Sequence, residues 1–252
     1  MNVQESKIQY LLHLADNALI LGQRLGEWCG HGPVLEQDMA MTNISLDYLG
    51  RARLLYQYVA ELKNDQSTED TLAFLRDEWE YKNVLLVEQP NIDFAYTVAR
   101  QFFLDAFHYP YFTSLKFSTD KRLAEIAEKT VKETAYHLKW SGEWVIRLGD
   151  GTDISKQKMQ TAINELWTYT GELFEATDYE QKMIAEKIAP ELSAIQNAWT
   201  AKTDEVLSIA GLQKPIAGWM QSGGKLGKHS EHLGYILADL QYMQRAYPGM
   251  EW

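Results

Sequence analysis

The chain has 252 residues, 46% of them hydrophobic and 23% charged, enough for one large domain with a well-buried core. Its net charge of −11 opposes general nucleic-acid binding, and no run of about 18 apolar residues exists that could cross a membrane. The one cysteine, Cys29, cannot form an internal disulfide, and His13, Asp16 and Asn17 break the first apolar run, so the expectation is a cytoplasmic protein without a signal peptide.

In chain order, residues 6–26 repeat apolar groups at Ile8, Leu11, Leu12, Ala15, Leu19, Gly22 and Leu25, a period near 3.6 residues that predicts an amphipathic helix. EWCGHGP at 27–33 reads as a turn and 34–63 as a long helix, followed by the polar loop 64–67. A helix is predicted from Thr71 to Val87, ending before Pro90. Long helices follow over 92–117 and 120–148, then helices over 155–176 and over 180–210, the latter interrupted at Pro190. Pro110 falls inside the 92–117 helix and predicts a kink or bulge, because proline cannot donate to the carbonyl of Ala106. Residues 211–227 read as a loop and 228–246 as the last helix. No strand of convincing length and no internal repeat is visible. The expectation is one all-α domain over residues 1–252, a four-helix core of 6–26, 34–63, 92–117 and 120–148 with further helices around it.

Each core helix carries an acid among apolar neighbours: Asp16, Asp47, Asp105 and Glu133. Buried carboxylates need partners, and helical spacing offers His13 to Asp16, Arg51 to Asp47, His108 to Asp105 and His137 to Glu133. Inward acids on four helices are the layout of a ferritin-like bundle, whose diiron or dimanganese centres take two Glu-x-x-His pairs. Glu-x-x-His occurs nowhere in this chain; Asp105-x-x-His108 is the nearest spacing. Gly50 and Tyr136 stand where ligand histidines would follow Asp47 and Glu133, and Arg51 puts a fixed cation on the Asp47 face. Asp16, Asp47, Arg51, Asp105, His108, Glu133 and His137 therefore read as a degenerate, metal-free network. The competing reading is a working metal site built on the same acids and histidines.

The tract GGKLGKHSEHLGYILADLQYMQRAYPGMEW, residues 223–252, is the second unusual feature. Lys225 and Lys228, beside Gly223, Gly224 and Gly227 and at the start of the last helix, suit contact with a phosphate. The spacing is not that of a P-loop, and a solvated basic loop explains the same residues. His229, Glu231 and His232 do not have metalloprotease spacing.

RLGEWCGHGP at 24–33, NISLDYLGRAR at 43–53, LLVEQPN at 85–91, KETAYHLKWSGEWVIRLGDGTD at 132–153 and the C-terminal tract together resemble the C-subunit family of bacterial phenylacetyl-CoA epoxidases, the oxygenases of aerobic phenylacetate degradation. The resemblance spans nearly the whole chain. It implies a ferritin-like fold and a non-catalytic, structural subunit without a cofactor of its own. It further implies pairing with a related A subunit that carries the diiron centre and binds phenylacetyl-CoA, with a B subunit and an NADPH-fed reductase in the wider complex. Lys225 and Lys228 would then touch the CoA phosphates. Neither nucleic acid nor membrane is an expected partner. Two other classes stay open at this point: an autonomous diiron or dimanganese oxygenase or oxidase, and a helical scaffold unconnected with oxygenase chemistry.

Overall fold

The computed structural model describes residues 1–216 and 218–250; Ala217 and the last two residues of the C-terminal tract, Glu251 and Trp252, lie outside the described residues. The fold is all-α, as the periodicity predicts, with no strand among the described residues. The helices are α1 (Val3–Gly26), α2 (Leu35–Lys63), α3 (Glu69–Phe74), α4 (Leu85–Glu88), α5 (Phe94–Leu115), α6 (Lys121–Gly149), α7 (Asp153–Leu166), α8 (Asp178–Ala185), α9 (Leu192–Ile209) and α10 (Glu231–Ala246). Local chemistry sets many of the starts. Asn2 and Glu5 close a capping box on α1, Thr152 and Ser155 one on α7, and Asp93 and Asp120 accept from Tyr96 N and Leu123 N to cap α5 and α6.

The chain divides into two compact units. Unit 1 comprises residues 1–89, 177–182 and those from 223 onward; unit 2 comprises 90–176 and 183–222. In unit 1, α1 and α2 pack along most of their length. Their approach is close because Gly22 leaves room for Leu49, and Ser45 Oγ donates to Gly22 O at 2.7 Å. Tyr10, Leu11, Ile20, Leu21, Met41, Ile44, Tyr48, Leu55 and Val59 are buried between and around these helices, each burial contributing about 1.5–3 kcal/mol. α3, α4, α10 and the start of α8 complete this unit. In unit 2, α5 packs on α6, α7 and α9. Phe103, Trp167, Phe174 and Trp199 form an aromatic cluster with ring centroids 5.3–5.9 Å apart, and Trp199 Nε1 donates to Phe103 O at 2.9 Å.

Several sequence expectations change. The helix expected over 71–87 survives only as α3 and the single turn of α4, with a 3-10 turn at Glu78–Glu80 between them. Tertiary hydrogen bonds claim its backbone: Lys82 N donates to Asp16 Oδ2 at 2.8 Å and Val84 N to Asn17 Oδ1 at 2.8 Å. A continuous helix would need those N–H groups for itself. Helix α7 stops at Leu166, before two 3-10 turns. There Gly171 lies so close to Met220 that a Cβ would come within 2.7 Å of its Cγ. Helix α5 runs through Pro110 without a π or 3-10 interruption, so the expected bulge is absent. The last helix begins at Glu231 rather than 228, because His229 and Ser230 turn inward.

Candidate functional site

Unit 1 carries three buried polar clusters. The first surrounds Asp16, whose side chain is 0% exposed. Arg76 Nη2 bonds Oδ1, Arg76 Nη1 donates to Oδ2 at 3.1 Å, Tyr56 Oη donates to Oδ1 at 2.5 Å, and Lys82 N donates to Oδ2. The guanidinium lies over the Tyr81 ring, 4.1 Å from its centroid, and 5.5 Å from the Tyr56 centroid, donating to the Tyr56 hydroxyl at 3.1 Å. Burial opposes the Arg76 charge, but Asp16 outweighs it and raises the guanidinium pKa further. Burial and the Asp16 charge push the Tyr56 phenol well above its usual range, and burial pushes Tyr81 up to about 12. Asp16 therefore pairs with Arg76, sixty residues away in sequence, and not with His13 as helical spacing suggests.

The second cluster surrounds Glu88, which is fully buried at the end of α4. Its Oε1 accepts from Asn83 Nδ2 at 2.8 Å and His229 Nδ1 at 2.6 Å; its Oε2 accepts from Ser230 N at 2.9 Å and Ser230 Oγ at 2.5 Å. His229 Nε2 faces Tyr81 O at 3.0 Å. Both imidazole nitrogens thus face oxygen atoms, an arrangement that favours the protonated ring, which donates from both. Burial lowers the His229 pKa, yet the bonds to Glu88 and Tyr81 O carry it above the usual histidine value.

The third cluster joins His13, Glu180 and Lys225. Lys225 Nζ lies 3.1 and 3.2 Å from the two Glu180 oxygens, and both side chains are 3% exposed. His13 Nδ1 donates to Lys82 O at 2.7 Å, and its Nε2 is 3.8 Å from Glu180. Burial lowers the His13 pKa. Burial works against the Glu180 charge, but Lys225 and His13 hold its carboxyl below the usual value.

These contacts revise the reading of the C-terminal tract. The Lys225 ammonium is committed to Glu180 inside unit 1, whereas Lys228 is exposed. The glycines serve close packing. A Cβ on Gly224 would overlap Asn83 O, and one on Gly227, at φ +80°, would overlap Trp79 O. Ser230 does not cap α10 with its hydroxyl, which is spent on Glu88.

The other predicted residues fall in both units. In unit 1, Asp47 is half-buried, and Arg51 is buried with its guanidinium 4.7 Å from the Tyr48 ring. In unit 2, Asp105 is fully buried, accepting from Gln101 Nε2 at 2.7 Å and from Ser141 Oγ at 2.8 Å. Ser141 Oγ also lies 3.0 Å from the backbone carbonyl of His137, one turn earlier on α6, and the His137 side chain is itself buried. His108 is buried beside Phe107 and Phe112, each 5.8 Å away between centroids. Glu133 is half-buried, 3.7 Å from Lys129. Among the described residues no three or more His, Cys, Asp or Glu side chains converge as a metal-binding group. The donor chemistry explains the poor fit. Asp16 already holds a guanidinium, a phenol and a backbone N–H, and both Asp105 oxygens accept from neutral donors.

Sequence reasoning missed Arg76, Tyr56, Glu88 and Glu180. Arg76 follows the apolar run Leu72–Leu75 and Glu88 ends the apolar run Val84–Val87; a lone charge at such a place is the signal that could have found them.

Residues 2–252 match the family model described as phenylacetic acid catabolic protein. The chain is also 51% identical, over 243 residues, to the C subunit of the 1,2-phenylacetyl-CoA epoxidase of Escherichia coli (strain K12), covering 96% of this chain and 98% of that one. The chain belongs to the phenylacetic acid catabolic protein family.

Proposed function

We propose that this chain is the C subunit of a phenylacetyl-CoA epoxidase, a ferritin-like structural partner of the diiron A subunit without a metal centre of its own. The observation that carries the reading is 51% identity across nearly the full length of the E. coli protein. The buried chemistry supports the structural role, because Asp16 and Asp105 are occupied by protein donors and bind the helices together. In this reading the A subunit holds phenylacetyl-CoA and performs the O2 chemistry, a B subunit and a reductase complete the complex, and the assembly works in the cytoplasm. No helix of the described residues is long and apolar enough to cross a membrane.

The test is co-expression with the A subunit, followed by metal analysis of the complex and of this chain purified alone with iron and manganese supplied. The expected result is a stable complex and less than about a tenth of a metal equivalent in the isolated chain, against the two of a diiron site. Near two equivalents would favour the autonomous oxygenase. Failure to bind the A subunit would refute the proposal.

A further inference from the structure

One face of unit 1 is both aromatic and acidic. Along α10, Glu231, Tyr235, Asp239 and Tyr242 recur at spacings of four, four and three residues, so they share one side of the helix. All four are exposed, Tyr235 at 69% and Tyr242 at 62%. Beside them the 3-10 turn presents Glu78 and Trp79, the latter 66% exposed. An open groove of about 520 Å³ separates the two elements, with Asp77 and Glu78 on one wall and Gly234, Ala238 and Tyr242 on the other. Gly234 lets the Glu78 carboxylate approach α10 closely, since a Cβ there would come within 3.3 Å of Glu78 Oε2.

The charges decide what could cover this face. Among the described residues, Glu78, Glu231 and Asp239 form no salt bridge. Arg245, the cation lining the groove, is held by Asp77 at 3.0 Å and by Arg76 O at 2.9 Å. A purely apolar occupant would desolvate three carboxylates without compensation. A second copy of the same face would set acid against acid. An occupant bearing cations meets both demands. Arginine suits best, because its guanidinium forks a carboxylate and stacks on tryptophan or tyrosine. Tryptophan, tyrosine and arginine also dominate the strongest contacts of protein interfaces.

We propose that this face docks an arginine-bearing segment of another epoxidase subunit. The choice of partner rests on the function proposed above; the chemistry of the face does not. The test is carboxyl labelling with carbodiimide and glycine ethyl ester, read by mass spectrometry, on the free chain and on the complex assembled from all co-expressed subunits. Glu78, Glu231 and Asp239 are expected to lose labelling at least fivefold in the complex and to regain it at high salt. Glu125 and Glu128, exposed on α6, serve as the reference. The Glu78→Lys/Asp239→Lys variant is expected to lose the protecting subunit, and Glu125→Lys/Glu128→Lys to keep it. Unchanged labelling in every mixture overturns the proposal. Protection that survives high salt, and that persists at Glu231 in the charge-reversed variant, also overturns it, in favour of an apolar partner or a second copy. If the wild-type chain assembles with no epoxidase subunit, the functional reading fails separately. The face is then judged on the free chain, by titration with a helical peptide carrying arginines four residues apart and with its glutamine counterpart. Equal affinity for the two peptides, or no binding, overturns it; a tenfold preference for arginine that Glu78→Lys/Asp239→Lys abolishes upholds it.

Discussion

Asp16→Ala is the most informative single change in this protein. It removes the carboxylate that holds Arg76, Tyr56 and Lys82 N, leaving a guanidinium with 9% side-chain exposure beside two aromatic rings and no counter-ion. Removing one partner of a buried ion pair costs about 3–5 kcal/mol, mainly because the remaining charge stays desolvated. At about 2–4 °C per kcal/mol for a chain of this size, the melting temperature should fall by roughly 6–20 °C. Asp16→Asn should fall less, since the amide oxygen can still accept from Tyr56 or Lys82 N. Asp16→Ala/Arg76→Met should recover part of the loss, because no buried charge is then stranded. The assay is thermal unfolding followed by circular dichroism at neutral pH for wild type, both single variants and the double variant, completing the cycle with Arg76→Met. A fall below about 2 °C for Asp16→Ala, or strict additivity in the cycle, would refute the claim that this pair organises unit 1.

The pH dependence has two opposed histidine limbs. The His229 pKa is raised, so its contribution is complete below the unfolded value of 6.5 and is lost as pH rises through the folded value; the His13 pKa is lowered, so its contribution is complete above 6.5 and declines as pH falls below it. Melting curves from about pH 3 to 9 should therefore peak near neutrality, with His229→Gln flattening the alkaline limb and His13→Asn the limb just below 6.5. Glu180, whose pKa is depressed, adds a further loss below the ordinary carboxyl value of 4.5, which Glu180→Gln should remove. Gly227→Ala should cost several kcal/mol, because its Cβ would meet the Trp79 carbonyl at positive φ, whereas Gly50→Ala, with nothing within 4 Å inside α2, should stabilise by about 0.5–1 kcal/mol. Denaturant titration of the two variants would distinguish these signs. Ser141→Ala deprives buried Asp105 of a 2.8 Å donor and should cost about 1–3 kcal/mol, read by the same titration.

Much of the helical layout was legible in the chain itself. Periodicity located α1, α2, α5 and α6 to within about three residues at each end, because a long amphipathic helix carries its signal in every turn. The same reasoning failed over 71–87. That segment has the composition of a helix, but Asp16 and Asn17 on α1 take its backbone N–H groups. Pairing rules within a helix likewise assigned His13 to Asp16, since spacing reveals only neighbours on one element. Arg76 lies beyond the reach of that rule.

The sequence by itself determined the all-α class, the positions of the long helices, the family and the presence of acids among apolar neighbours, all of them properties of local periodicity or of motif identity. Tertiary structure alone decided which partner each acid takes. It turned Lys225 inward onto Glu180, made the C-terminal glycines points of backbone contact and left the Glu78–Asp239 face open. The physical reason is that a buried charge is satisfied by whichever donor the fold brings within about 3 Å. In this chain the decisive donors for Asp16 and Glu88 stand 40 to 142 residues away in sequence.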